Sequence, residues 1–126
     1  MKTTYDDIQG FVTKDGSIIR ELMHPDVHGD IGVNIRNQSL AEATVPVGMV
    51  TMLHRHLRTE ELYHITSGEG LMTLGDEQFT VTVGDTICIS PETPHCIKNT
   101  GSLDLKMLCS CSPAYSHEDT YLLVVK

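Results

Sequence analysis

His54 and His56 lie two residues apart, and Glu61 follows five residues after His56, in the stretch GMVTMLHRHLRTEELYHITSG from Gly48 to Gly68. On an extended strand alternate side chains share a face, so both imidazoles project the same way. A short turn then brings a carboxylate back beside them. Two neutral imidazole donors and an anionic oxygen, converging from a rigid frame, suit a divalent metal. One His-x-His is weak evidence alone, because histidines also serve packing and solubility in sheets. Glu61 strengthens it, since an acid beside two inward histidines is costly to bury without a cation. His95, in GDTICISPETPHCIKN, follows a Pro-rich turn and can bring a third imidazole from across a barrel.

The elements that must position these groups read as short strands. Residues 17–23, 39–45, 49–56, 62–66, 71–74, 79–83, 86–89, 95–98 and 103–111 are predicted strands, with Gly or Pro punctuation between most of them. The regular alternation starts at Ile31, and strands so spaced indicate an all-β sandwich or barrel. Gly75-Asp76 and Asn99-Thr100-Gly101 are tight-turn signals. The last long strand places Leu105, Met107, Cys109 and Cys111 on one face, expected to be the interior. Val50 and Met52 are expected on the histidines' face as an apolar wall. HPDVHGD, His24 to Asp30, reads as a loop in which His24 and His28 are expected to be exposed and idle, with metal binding as the alternative. A single helical turn is possible within residues 116–120, and no internal linker marks a domain boundary.

Composition narrows the partners. The 126 residues suffice for one domain with a proper core, and the net charge of −8 comes without any basic run. Nucleic acid and anionic membranes are therefore poor partners. No apolar run approaches membrane-spanning length, and the N-terminal MKTTYDDIQGF lacks the apolar core of a signal peptide, so a cytoplasmic location is expected. Cys88, Cys96, Cys109 and Cys111 show neither zinc-finger nor CxxC spacing and are expected as reduced thiols.

The residues resemble the cupin superfamily at two motifs. The first runs Gly, five residues, His-x-His, three or four residues, Glu, six residues, Gly, and is matched by Gly48, His54, His56, Glu61 and Gly68. The second runs Gly, five residues, Pro-x-Gly, two residues, His, three residues, Asn, and is matched by Gly84, His95 and Asn99. Ser90 stands in place of the proline and Glu92 in place of the glycine. Glu disfavours positive φ, so the departure bears on the turn before His95 and not on the ligand position.

The resemblance implies an all-β fold, a double-stranded β-helix or jelly-roll barrel, with a metal in its mouth. It implies a single domain over residues 1–126, with a barrel core at about 38–112, an N-terminal arm at 1–37 and a tail strand at 113–126. His54, His56, Glu61 and His95 would hold one divalent ion per chain, with Mn or Fe favoured and Ni, Co or Zn possible. The tail is similar to those of small bacterial cupins of the oxalate-decarboxylase-like or mannose-6-phosphate-isomerase-like kind. Expected partners are a small molecule in the barrel mouth and a second copy in a homodimer, because TYLLVV would otherwise be an exposed edge and is expected to pair with the barrel or with a second subunit.

The expected activity is that of a metal-dependent oxidase, dioxygenase or decarboxylase acting on a small organic acid, diketone, phenol or diol. In the dioxygenase version Glu61 leaves the ion and acts as base. A non-catalytic binder and a sugar or sugar-phosphate isomerase are the alternatives. Tyr63 shares the parity of Glu61 and is read either as a phenol offered to substrate or as a packed strand tyrosine. Arg58 reads as a solvated turn residue, with an anion-holding role as the alternative. Tyr115 and His117 are placed near the mouth, and Glu42 is assigned to neither face.

Overall fold

Alternating β-branched and polar residues, punctuated by Gly and Pro, form two antiparallel sheets in the computed structural model, which describes residues 2–29 and 34–123. The expected onset at Ile31 and the apolar Val124 and Val125 lie outside the described residues. The strands are β1 (Phe11–Val12), β2 (Ile18–Met23), β3 (Ser39–Val45), β4 (His54–His56), β5 (Glu60–Ser67) and β6 (Glu69–Leu74). They continue with β7 (Glu77–Thr82), β8 (Thr86–Ile89), β9 (His95–Asn99), β10 (Leu105–Ser112) and β11 (Thr120–Leu122). One sheet has the order β1-β2-β3-β10-β5-β8 and the other β11-β4-β9-β6-β7. Two such sheets closing over one interior are the jelly-roll architecture.

The register of the larger sheet decides where polar groups are buried. Val45 pairs with Leu105, and Ala43 with Met107, which in turn pairs with Ile65. The next inward row runs Glu21, Ala41, Cys109, Tyr63, Ile87, and the one beyond it Ser39, Cys111, Glu61, Ile89. One end of the barrel is therefore filled by Val45, Ile65, Met72, Ile97, Leu105 and Met107, each at most 2% exposed. The other end carries acid, thiol and phenol groups on the same inward parity. As expected from the alternation, Leu105, Met107, Cys109 and Cys111 all face inward.

Several sequence expectations are corrected. Regular strand structure covers only His54–His56 of the expected 49–56, with Val50 in an isolated bridge to Lys98. Thr51 turns inward instead, its hydroxyl accepting the Ile97 amide at 3.0 Å, while Val50 and Met52 are more than half exposed. Alternation does not carry through the irregular residues 51–53, so the apolar wall assigned to Val50 and Met52 is absent. His24 and His28 are buried rather than exposed, because they cap a helical turn, Pro25–His28. The His24 ring accepts the Asp26 amide at 3.0 Å, and the His28 ring accepts the His24 amide at 3.0 Å.

Two turns show why particular backbones are held. Gly68, joining β5 to β6, has φ +78, and a Cβ there would sit 2.8 Å from the Asp104 carbonyl oxygen. Only glycine fits both demands. Glu92 adopts φ 71 despite its side chain, and its amide donates to the His56 carbonyl at 2.6 Å. The turn before His95 thus keeps the conformation that a glycine would take. Glu42 faces outward, where Tyr5 donates to it at 2.6 Å. The tail strand β11 pairs with β4 of its own chain. Among the described residues no helix is long and apolar enough to cross a membrane.

Candidate metal centre

β4 presents His54 and His56 inward with Arg55 between them, and His95 at the start of β9 pairs directly with His54. One ring nitrogen from each of the three lies within 4.8 Å of the others. Glu61 arrives from β5 across the barrel, its Oε1 lying 3.3 Å from His56 Nε2 and 3.6 Å from His95 Nε2. All four side chains are nearly inaccessible, with His95 at 0% and Glu61 at 5%. The four residues singled out in the two motifs are brought together.

Hydrogen bonds behind the rings fix what each imidazole offers. His54 Nδ1 donates to the Met52 carbonyl at 2.7 Å, and His95 Nδ1 donates to the Thr93 carbonyl at 2.9 Å. A carbonyl only accepts, so the proton sits on Nδ1 and the Nε2 lone pair faces inward. His56 Nδ1 lies 2.9 Å from Thr120 Oγ1, whose own proton goes to the Ser116 carbonyl at 2.9 Å. The same tautomer follows. Cys111 Sγ donates to Glu61 Oε2 at 3.3 Å, leaving Oε1 for the histidine side.

The ionisation states agree with this arrangement. Burial, and then the neighbouring His95, lower His54 to about 4, so the ring is neutral at ordinary pH. Burial opposes ionisation of Glu61, and proton-bearing His56 and His95 rings would outweigh it and lower the carboxyl to about 2, a pull that a cation among neutral rings would supply instead. Burial and the nearby Glu61 push the thiols of Cys109 and Cys111 up, keeping both protonated. Both cysteines are free.

Glu61 Oε1 and His95 Nε2 are fully buried and have no hydrogen-bond partner. Orphaned lone pairs of this kind are costly unless a cation lies between them. Three imidazole nitrogens and a carboxylate, all with inward lone pairs, fit one divalent ion.

The centre opens into a cavity lined also by Tyr63, Tyr115, Cys109 and Cys111. Tyr63 is buried on the parity of Glu61, its ring centroid 6.1 Å from that of His95. Tyr115 stands at the site with its ring 5.9 Å from His56. His117 is exposed, and its carbonyl accepts from Lys14 Nζ at 3.1 Å and from the Thr120 amide. The Arg58 side chain is 76% exposed and leans on Asp119 rather than into the cavity.

Four contributors escape motif reading. Asp15 Oδ2 lies 3.6 Å from His54 Nε2, while its Oδ1 is held by Thr13, Ser17 Oγ and the Ser17 amide. Glu21 is buried in the cavity wall. Thr120 orients His56, and Asp119 accepts the Arg58 and Thr59 amides of the turn between His56 and Glu61. Only Glu21 left a sequence signal, its parity with Ile19 on a predicted strand. The others come from a loop and a tail whose position the sequence does not specify.

Residues 41–111 match the cupin domain profile, and the chain belongs to the cupin family. It is 55% identical over 123 residues to an uncharacterized protein of Methanocaldococcus jannaschii, covering 98% of this chain and 94% of that protein. It is 32% identical over 68 residues to an oxalate-binding protein of Thermotoga maritima, covering 54% of this chain and 56% of that one. The Streptomyces nucleoside dehydratase Pac13 has the same fold, with a TM-score of 0.74 at 19% identity over 98% of this chain and 90% of its own.

Proposed function

We propose that this chain is a metal-dependent enzyme that holds one divalent ion, Mn or Fe by preference, on His54, His56, Glu61 and His95. Its substrate is a small molecule that presents two oxygens, an organic acid or a diol, to the ion inside the barrel. The observation that carries the reading is the convergence of Glu61 Oε1 and His95 Nε2, both buried and unpartnered, on two further imidazoles of fixed tautomer. When bound, such an ion supplies Lewis-acid polarisation of a substrate oxygen and, as Mn or Fe, a route for electrons.

The chain's own groups do the rest. The β-barrel walls exclude bulk water. Burial raises Tyr63 well above its ordinary value, so the phenol keeps its proton and donates to a bound oxygen. Oxidase, dioxygenase or decarboxylase chemistry is the reaction class proposed for this arrangement. A sugar-phosphate isomerase fits less well, because among the described residues no lysine or arginine lines the cavity to hold a phosphate. The likeness to an oxalate-binding protein favours a second reading, capture of a ligand without turnover.

Elemental analysis of purified protein is expected to give close to one divalent ion per chain, and a His54→Ala, His56→Ala variant to lose it. Undiminished metal in that variant overturns the assignment. Oxygen uptake or acid loss with Mn- or Fe-loaded protein supports turnover, and its absence with every metal and substrate supports the binder.

A further inference from the structure

Glu21 is the one buried acid of the cavity that the metal reading leaves without a task. It is 4% exposed, and its Oε2 has no hydrogen-bond partner. The nearest group able to carry positive charge is His24, whose Nε2 lies 3.9 Å away. That nitrogen's proton is already donated to the Tyr115 carbonyl at 2.7 Å, and the other ring nitrogen accepts the Asp26 amide at 3.0 Å. His24 is thus a neutral ring with both nitrogens engaged, and it does not satisfy the carboxyl. A buried carboxyl oxygen without a hydrogen-bond partner is costly to keep. It borders the same cavity as His54, Glu61 and Tyr63, one inward row from Glu61 on the sheet.

The charge balance of the cavity points to what meets it. Among the described residues Asp15, Glu21 and Glu61 line the cavity, and no lysine or arginine does. Asp15 and Glu61 both lie beside the histidine nitrogens, so their two negative charges balance a divalent ion. An anionic substrate would then face Glu21 with no net positive charge to draw it in. Uncharged hydroxyl groups meet no such penalty, and they satisfy a carboxyl in either protonation state.

We propose that the cavity selects an uncharged polyhydroxylated molecule, a vicinal diol at the metal end, with a further hydroxyl bound by Glu21. This rests on the metal reading above, and it chooses the diol over the organic acid. Burial, with Glu61 adding to it, raises the Glu21 carboxyl, which suits a group that shares a proton with a hydroxyl.

The test is calorimetric titration of the metal-loaded full chain with methyl α-mannopyranoside, uridine, oxalate and malonate, with metal content measured on each sample. The expected result is tighter binding of a neutral probe than of either dianion. Glu21→Ala is expected to weaken that binding about tenfold at unchanged metal content. Glu21→Gln, which keeps an acceptor and the side-chain volume, is expected to lose less. Tighter binding of oxalate or malonate, no binding of either neutral probe, or undiminished binding in both variants overturns the proposal. Protein that takes up no ion overturns the metal reading and this proposal together.

Discussion

Thr120 accepts the Nδ1 proton of His56 at 2.9 Å, joining the tail strand to a motif histidine 64 residues earlier. Because the Thr120 hydroxyl spends its own proton on the Ser116 carbonyl, it has only lone pairs to offer the ring. His56 is thereby locked with its Nε2 lone pair toward Glu61 and His95. Partners behind a ligand usually set metal affinity by orienting the ring and fixing its tautomer.

Removing that acceptor is therefore expected to weaken the centre without removing a ligand. Thr120→Val should lower metal affinity roughly 10–100-fold, and Thr120→Ser should restore most of it. Competition against a chromogenic chelator measures both. Equal affinity in the valine variant and the wild type would show that the ring needs no help from the tail.

Asp119, one residue before, holds the turn that separates His56 from Glu61. Its carboxylate accepts the Arg58 amide at 3.1 Å and the Thr59 amide at 3.1 Å, and its carbonyl accepts the Leu57 amide at 3.1 Å. Asp119→Ala leaves the first two donors without a partner and should cost about 1–3 kcal/mol. Burial opposes its ionisation, but the Arg58 and Thr59 amides outweigh this and lower its pKa. The stabilisation is thus present above the ordinary carboxylate value of 3.8 and is lost as pH falls toward the lowered one. Urea unfolding from neutral to acid pH should show the gap between wild type and variant closing on acidification. A gap that stays constant would place the effect elsewhere.

Glu21 has the opposite sign. Its carboxyl is raised, by burial first, in surroundings that include His24, Glu61 of β5, Cys109 and Cys111 of β10, and Tyr115. The folded state then holds the proton more tightly than the unfolded chain does. Stability falls as pH rises from the ordinary value of 4.5 through the raised one. Melting curves of metal-free protein should show this decline in the wild type and a flatter profile in Glu21→Gln, which melts higher at neutral pH. Parallel profiles would mean that Glu21 is not a strained acid.

Local pattern was enough for much of this molecule. The spacings of His54, His56, Glu61 and His95 mark four groups that the barrel does gather, because strand parity and two turn lengths leave little freedom to place them elsewhere. The inward face of β10 was readable from Leu105 to Cys111 for the same reason. Parity failed at Val50 and Met52, where the chain leaves the ladder between Thr51 and His54 and the period-two rule no longer applies. It also gave no account of Glu92, whose positive φ persists while its backbone N–H donates a hydrogen bond to the His56 carbonyl.

The sequence by itself determined the four candidate metal ligands and the succession of short strands that carries them. Only the tertiary structure decided what surrounds that constellation: Asp15 beside His54, Glu21 unpaired in the wall, Thr120 behind His56 and Asp119 under the turn. These depend on how a loop and a tail pack against strands distant in the chain. Contacts of that kind are set by sheet register and closure, and no periodicity within either segment encodes them.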